Sequence, residues 1–228
     1  MNDIRDQIWL GVDVGINNLA LVKALINISN NSCKVLDATC VDLTIMKHKR
    51  VPKCNCILYH SNDAYDRVQH MLQEMGPEWF EPAARILIER QPITGLVHIE
   101  QLLYGEFRNR ASLISPNKMH TWLGISHLPY EQRKEKTVEM ATPYLNDMDK
   151  SHVWNMRERK HDMADALCLI LFELHVTYNE YKKKNNSNTE CCYLNQTIQI
   201  SDNMNLDEYF KQFQFSETIK ADDFMKIK

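Results

Sequence analysis

Four carboxylates occupy three separated segments of this chain, in places where an acid needs a partner. Asp13 lies within the apolar run WLGVDVG, Glu89 ends the run ILIE, and Asp162 and Asp165 open the apolar stretch HDMADALCLILFELH. A buried carboxylate is costly unless it is paired or binds a metal ion. Mg²⁺ prefers a few carboxylates together with water and phosphate oxygens, and two such ions about 4 Å apart can drive hydrolysis of a phosphodiester. The four acids therefore predict a site for divalent cations.

Each of these acids also has an ordinary structural explanation. Asp162 and Asp165 are three residues apart in what we predict to be the first turn of a helix, where they share one side and suit the helix dipole. Glu89 is followed by Arg90, a potential ion-pair partner. Asp13 in the middle of a strand would need a buried partner if its role were structural. These alternatives stay open for each acid taken singly.

The segments that carry the acids predict an α/β fold. Three successive strands suggest an antiparallel meander, beginning with a hairpin around the turn GINN, and the two later strands alternate with helices as in parallel crossovers. A mixed five-stranded sheet with helices on both faces is the expected result. The predicted strands are 8–14, 19–27, 34–43, 84–90 and 111–115; the predicted helices are 62–75, 94–107, 131–141, closed by Pro143, and 160–175; a loop or helix starts at Pro116.

Composition and charge limit the class of protein. The chain has 228 residues, 44% of them apolar, which suffices for one globular domain with a core. No apolar run approaches the roughly 18 residues of a membrane span, and the start MNDIRDQIWLGV lacks the apolar core of a signal peptide. The seven cysteines form no regular framework, which favours free thiols in a reducing compartment. We therefore expect a soluble, intracellular protein without a membrane partner.

The domain organisation follows from a change of composition near residue 182. Residues 1–181 are expected to form one domain, and the stretch KKKNNSN that follows is typical of a linker. Residues 182–228 would then be the linker and a C-terminal extension of unknown role. The whole net charge of −3 resides in residues 185–228, so the neutral body neither supports nor excludes a nucleic-acid substrate.

The ordered set of acids resembles that of a known superfamily. A strand with D-x-G, a strand ending in Glu and a helix opening with D-x-x-D are similar to the RNase H-like superfamily, and most closely to the RuvC-type Holliday junction resolvases. ILIERQP and SLISPNKMH resemble segments of the poxvirus and fungal mitochondrial members. The resemblance spans residues 8–178 and points to a large DNA virus as the source.

This resemblance implies an enzyme and its cofactors. It implies a homodimeric, structure-specific endonuclease that cuts four-way DNA junctions by paired symmetric nicks, in recombination, repair or the resolution of replication intermediates. The ends would be 5′-phosphates and 3′-hydroxyls. Two Mg²⁺ ions per site, for which Mn²⁺ can substitute, would be bound by the four acids, and no nucleotide cofactor is expected. A viral enzyme of this kind would act in the host cytoplasm or nucleus, where viral DNA is replicated.

Basic residues near the acids are candidates for DNA binding. The resemblance makes Lys118, in SPNKMH, a candidate phosphate contact, and Arg157, Arg159 and Lys160 form a basic run up to the acidic helix. The alternatives are a solvated surface lysine at position 118 and, for the basic run, a charged loop at the entrance of the helix. His161 adjoins Asp162 and is a further candidate for contact with the metal or with a water molecule.

A second set of metal-binding residue types has no familiar spacing. His48, Cys54, Cys56 and His60 suit zinc by residue type. Their H-x5-C-x-C-x3-H spacing matches no common structural zinc site, so free thiols in a loop are the favoured interpretation.

Three other classes of protein compete with a resolvase. An actin-like or sugar-kinase-like ATPase also opens with D-x-G, but it needs a second such segment and a Gly-rich loop, whereas this chain has only six glycines. Another RNase H-like nuclease, an RNase H or an integrase, shares the acids and stays open. A catalytically silent junction-binding protein would have no need of all four acids.

Overall fold

The computed structural model of the chain describes residues 6–45, 63–148, 154 and 160–187. Within them, five strands form a single mixed sheet in the order β3-β2-β1-β4-β5. The three consecutive strands pair antiparallel, whereas β4 and β5 run parallel to β1. The predicted fold class is thereby confirmed. The strands are β1 (Gln7–Asp13), β2 (Leu19–Asn27), β3 (Ser32–Val41), β4 (Ala83–Glu89) and β5 (Ala111–Ile114).

The register of the sheet brings two of the acids to one edge. β1 and β4 are parallel neighbours, and Val12 is the partner of Ile88. Asp13 and Glu89 are the next residues of their strands, so both acids lie at the carboxyl edge of the sheet. Ile114, the last residue of β5, pairs with Glu89, so the chain also leaves β5 at this edge.

Six helices cover the sheet within the described residues. α1, α2 and α3 pack with the side chains of one sheet face, and α4, α5 and α6 pack on the other. Helices on both faces agree with the prediction. The helices are α1 (Ala64–Met75), α2 (Pro77–Phe80), α3 (Val97–Glu106), α4 (Pro116–Trp122), α5 (Tyr130–Asn146) and α6 (Lys160–Ser187).

The central helix α6 lies directly on β1. Its residues from Met163 to Leu171 are buried almost throughout, as their apolar sequence predicts. At Gly11 the two backbones are so close that a Cβ atom would lie 2.1 Å from the carbonyl oxygen of Ala166. Glycine is therefore required at this point of β1, two residues before Asp13. On the side of α6, the contact is made by Ala166, the residue after Asp165.

Two predicted helix ends were wrong. Pro143 was expected to close the helix before it, yet α5 continues to Asn146 with Pro143 inside. Proline removes one backbone hydrogen bond there, but Tyr144 and Leu145 are buried in the core beneath, and that burial favours continuing the helix. Likewise, α6 was expected to end at His175, and it runs on to Ser187 through most of the stretch predicted to be a linker.

Smaller differences concern the helices on the other face. The one-turn helix α2 follows Gly76 where only a stop was expected, and Pro77 occupies its first position, where a missing N–H costs nothing.

Two of the predictions concern residues outside the described part of the chain. These are the C-terminal extension from residue 188 onwards and the possible zinc ligands His48, Cys54, Cys56 and His60. Among the residues that the structure describes, no helix is both long and apolar enough to cross a membrane.

Candidate active site

Asp13 and Glu89 form the centre of an acidic cluster at the carboxyl edge of β1 and β4. Only 9% of Asp13 is exposed, and its carboxyl group is close enough to that of Glu89 for each to affect the pKa of the other. Burial, followed by the charges of Glu89 and Asp165, raises the pKa of Asp13 well above its ordinary value. Burial also raises the pKa of Glu89. The two carboxyl groups therefore resist carrying two negative charges in the absence of a cation.

Helix α6 supplies the remaining two acids, and they differ in their surroundings. Asp165 is close enough to Asp13 and Glu89 for its charge to raise the pKa of both. Asp162 is buried at 5% exposure, and its Oδ1 lies 3.2 Å from Nε2 of His161. Because α6 begins at Lys160, Asp162 lies in the first turn, while Asp165 lies one turn later than the sequence suggested.

A lysine that was not predicted as a site residue completes the cluster. The ammonium group of Lys134, from α5, forms an ion pair with Asp165. Burial by itself lowers the pKa of Lys134, but the charge of Asp165, the hydrogen bond to it and the charge of Asp13 outweigh that effect and raise it. Lys134 thus stays protonated and places one positive charge among the acids.

Gln91 fixes the orientation of Glu89. Its Nε2 donates a hydrogen bond to Oε2 of Glu89 at 2.5 Å, while its Oε1 accepts one from the backbone N–H of Leu96 at 3.3 Å. The backbone N–H of Gln91 donates to Oε2 of the buried Glu100 at 2.5 Å. Glu89 is thereby tied to α3 through Gln91, whereas Arg90, the partner considered from the sequence, is exposed.

The donor chemistry of the cluster fits a hard divalent cation. Asp13, Glu89 and Asp165 together with Lys134 leave an excess of negative charge in a buried place, and carboxylate oxygens are the ligands that Mg²⁺ prefers. Among the described residues, Oδ1 of Asp165 is buried and accepts no hydrogen bond. A cation at this edge would relieve both the repulsion and the unsatisfied oxygen.

The side chains are not already arranged as a closed metal cage. Within the described residues, no group of three Asp, Glu, His or Cys side chains is placed so that it could enclose a metal ion. The ion pair with Lys134 engages one oxygen of Asp165. A cation at this edge would therefore compete with the ammonium group for that carboxylate.

The predicted DNA-binding residues have different surroundings. Lys118 is exposed in the first turn of α4, which begins where β5 ends and hence at the same edge as the acids. Lys160 places its ammonium group 5.2 Å from the ring centroid of Trp154, a contact that gives it a packing role. Arg157 and Arg159 lie outside the described residues.

Helical periodicity could have drawn attention to Lys134. It stands in the charge-rich stretch YEQRKEK, which is typical of a solvated helix face. Lys134 precedes the buried residues Thr137 and Ala141 by three and seven positions, and so it lies on the face of α5 that packs on the core. His120 of α4 is a further unpredicted neighbour, because the charge of Asp165 reaches it. It gave no signal in the sequence.

Comparison with known proteins was made by sequence family and by structure. The family model described as Poxvirus A22 protein matches residues 7–176. No curated protein matches the chain in sequence.

Solved structures share the fold at low sequence identity. The fowlpox virus resolvase, solved in complex with substrate Holliday junction DNA, matches with a TM-score of 0.54 and 15% identity, over 75% of this chain and 98% of the resolvase. The yeast mitochondrial Holliday junction resolvase matches with a TM-score of 0.54 and 18% identity, over 79% and 86% of the two chains. A second structure of the fowlpox virus Holliday junction resolvase matches with a TM-score of 0.52 and 16% identity, over 75% and 99%. The resemblance noted in the sequence to poxvirus and fungal mitochondrial proteins is confirmed.

Proposed function

The chain belongs to the Poxvirus A22 protein family, and on that basis we propose that it is an endonuclease that resolves four-way DNA junctions. The observation that carries the proposal is the meeting of Asp13, Glu89 and Asp165 at one edge of the sheet, since these acids come from three distant segments. An idle acid at a strand end would not need two further acids against it. The pKa values that burial and repulsion raise are typical of a functional site.

The similarity to resolvases supports the choice of substrate. The fowlpox virus resolvase was solved with Holliday junction DNA as its substrate, and this chain covers 98% of that protein in the same fold. We therefore propose branched DNA as the substrate and resolution of recombination or replication intermediates of viral DNA as the role. The site of action would be the place in the host cell where that DNA is replicated.

The proposed chemistry is hydrolysis of a phosphodiester. Asp13, Glu89, Asp162 and Asp165 would bind two Mg²⁺ ions, or Mn²⁺ in their place, and the bound ions would supply Lewis-acid stabilisation of the phosphate charge. Cleavage would leave a 5′-phosphate and a 3′-hydroxyl, ends that a ligase can join.

The other residues of the cluster would prepare this chemistry. Gln91 holds Glu89 in one orientation by donating a hydrogen bond to Oε2. A carboxylate held in this way stays oriented for binding a metal ion, whereas an unsupported one would rotate. Lys134 holds the carboxylate of Asp165 through an ion pair. The ammonium group of Lys134 would also supply a positive charge that can neutralise a phosphate bound beside the acids.

Paired symmetric cleavage requires two such sites facing opposite strands. We therefore propose that the protein acts as a homodimer, with one site in each copy. Sedimentation of the purified protein tests this, and a monomer at concentrations that cleave junctions would contradict it.

We propose that basic residues outside the acidic cluster bind the phosphates of the DNA arms. Lys118 is exposed at the edge where the acids lie, so it is well placed to bind a phosphate near the cut. Arg157, Arg159 and Lys160 are proposed as further contacts to DNA phosphates. Residues 1–181 would form the nuclease domain, and residues 182–228 an extension that begins on the last turns of α6.

The substrate is tested by offering three labelled nucleic acids in Mg²⁺: a four-way junction, a linear duplex and an RNA–DNA hybrid. We expect symmetric nicking confined to the junction, with products that a ligase seals directly. Cleavage of the hybrid alone would instead identify an RNase H, and strand transfer into duplex would identify an integrase.

The metal site is tested by single replacement of the acids. Asp13→Asn, Glu89→Gln and Asp165→Asn should each lower the cleavage rate by orders of magnitude while the junction is still bound. The exposed Asp147, at the end of α5, offers a matched control, and Asp147→Asn should cleave at the wild-type rate. Wild-type cleavage by Asp13→Asn would refute the assignment of the site.

A further inference from the structure

An exposed aromatic side chain lies at the rim of the acidic cluster. Tyr130 is the first residue of α5 and is 55% exposed. Its ring centroid is 5.6 Å from Nζ of Lys134, and that ammonium group contacts Asp165. The ring therefore stands one side chain away from the carboxylates, with a large part of its surface open to solvent.

Two cations flank the ring. Lys134 lies on the side of the acids, and the guanidinium carbon of Arg133 is 6.0 Å from the ring centroid. Arg133 is held in place because its Nη1 donates to the backbone carbonyl of Leu128 at 2.7 Å. Both positive charges are thus fixed beside an exposed aromatic face.

This combination matches the chemistry of a nucleotide better than that of other ligands. A nucleobase can stack on an exposed aromatic ring whatever its identity, and the phosphates on either side of it are neutralised by nearby cations. A protein segment or a membrane surface would be favoured by a broader apolar patch, whereas here the ring stands between charges. A base in intact duplex is already stacked, so only a base exposed by a branch or a distortion would gain from the contact.

We propose that Tyr130 and Arg133 form a stacking subsite for a nucleobase that leaves its stack next to the cleaved phosphate. The proposal rests on the proposed function, because the cleaved phosphate must lie against the acids for the ring to reach the neighbouring base. The subsite would favour branch points over continuous duplex, because a branch provides an unstacked base at lower cost. It would thus contribute to the selection of branched DNA in addition to the contacts on the arms.

A test couples removal of the ring with removal of the base. A four-way junction is prepared with an abasic residue at each position around the cut, and its affinity is measured in Ca²⁺ for the wild type and for Tyr130→Ala. At one position next to the cut, we expect loss of the base to weaken wild-type binding about 10-fold and to weaken Tyr130→Ala no further. Such a double-mutant cycle isolates the contact between the two groups.

Two further variants serve as references. Tyr130→Trp keeps an aromatic face and should retain the dependence on the base. Tyr65 is exposed to a similar degree, 56%, but it belongs to α1 on the opposite face of the sheet, so Tyr65→Ala should behave as the wild type.

Three results would overturn the proposal. If loss of the base weakens the wild type and Tyr130→Ala equally at every position, no contact joins them. If Tyr130→Ala cleaves junction and other substrates more slowly by the same factor and keeps the base dependence, the ring acts only through Lys134. Cleavage in Mg²⁺ distinguishes a failure of the stacking subsite from a failure of the proposed function. If the wild type cuts no junction, both proposals are refuted. If it cuts the junction but loss of the base and loss of the ring act independently, only the stacking subsite is refuted.

Discussion

Replacing Gly11 by alanine tests how closely α6 must approach β1. The added Cβ would lie 2.1 Å from the carbonyl oxygen of Ala166, whereas ordinary contacts begin at 3.4 Å. Both atoms belong to the backbone or are fixed to it, so no side chain can rotate to make room. The strand and the helix must therefore separate by more than 1 Å.

The separation acts on the site because of where it occurs. Gly11 is two residues from Asp13 and Ala166 is next to Asp165, so the shift moves two acids of the cluster apart. A misplacement of about 1 Å can lower an enzymatic rate about 100-fold. Overpacking of this kind also costs about 1–3 kcal/mol of folding free energy, or several degrees in Tm for a chain of this size.

The assay combines single-turnover cleavage of a labelled junction in Mg²⁺ with thermal unfolding. Gly105→Ala is the control, because a Cβ at Gly105 meets nothing within 4 Å in α3, and this replacement should raise stability by up to about 1 kcal/mol at unchanged rate. If Gly11→Ala cleaves and unfolds like the wild type, the close contact of α6 with β1 does not position the acids.

Three further predictions concern the charges of the cluster. The raised pKa of Asp13 means that the folded protein binds more protons than the unfolded chain, so the metal-free protein should lose stability as the pH rises above about 4 and through that raised pKa. Asp13→Asn should weaken this dependence, leaving the part due to Glu89, and should unfold at a higher temperature in EDTA at neutral pH, while cleavage is lost. A flat pH profile of the wild type would contradict this. Lys134→Ala removes the cation beside Asp165 and should slow cleavage about 100-fold or more. It should also destabilise the metal-free protein, and addition of Mg²⁺ should restore its Tm. A variant that is equally stable with and without Mg²⁺ would argue against this. Gln91→Leu removes the hydrogen bond to Glu89 and should slow cleavage about 10–100-fold at unchanged junction affinity, and a rate equal to that of the wild type would show that Glu89 needs no such support.

The acids could be predicted because each one contradicts its surroundings. Asp13 and Glu89 interrupt or end apolar strands, and Asp165 opens an apolar helix, so their residue types are visible against the local pattern. The antiparallel pairing of the first three strands could also be expected, since three apolar runs with turn residues between them form a meander. The local sequence pattern is therefore sufficient to predict a site residue when that residue differs in type from its neighbours.

Lys134 and Gln91 could not be identified in this way. A lysine among charged residues and a glutamine after a strand are both ordinary in their local context, and their roles arise from contacts that only the folded chain creates. Pro143 is a second case in which the local sequence was insufficient, because here it led to a wrong prediction. Its local preference to end a helix was overridden by the burial of Tyr144 and Leu145 against the core.

The position of α6 on the sheet determines when, during synthesis, the proposed site can first exist. α6 packs against β1, β2, β3 and β4, all of which are made earlier by the ribosome. A nascent chain that has not reached Lys160 holds Asp13 and Glu89 but lacks Asp162, Asp165 and the helix that covers β1. Pairing between such distant segments is also the slow part of folding. A translation product that ends before Lys160 would therefore lack two of the four acids of the proposed site.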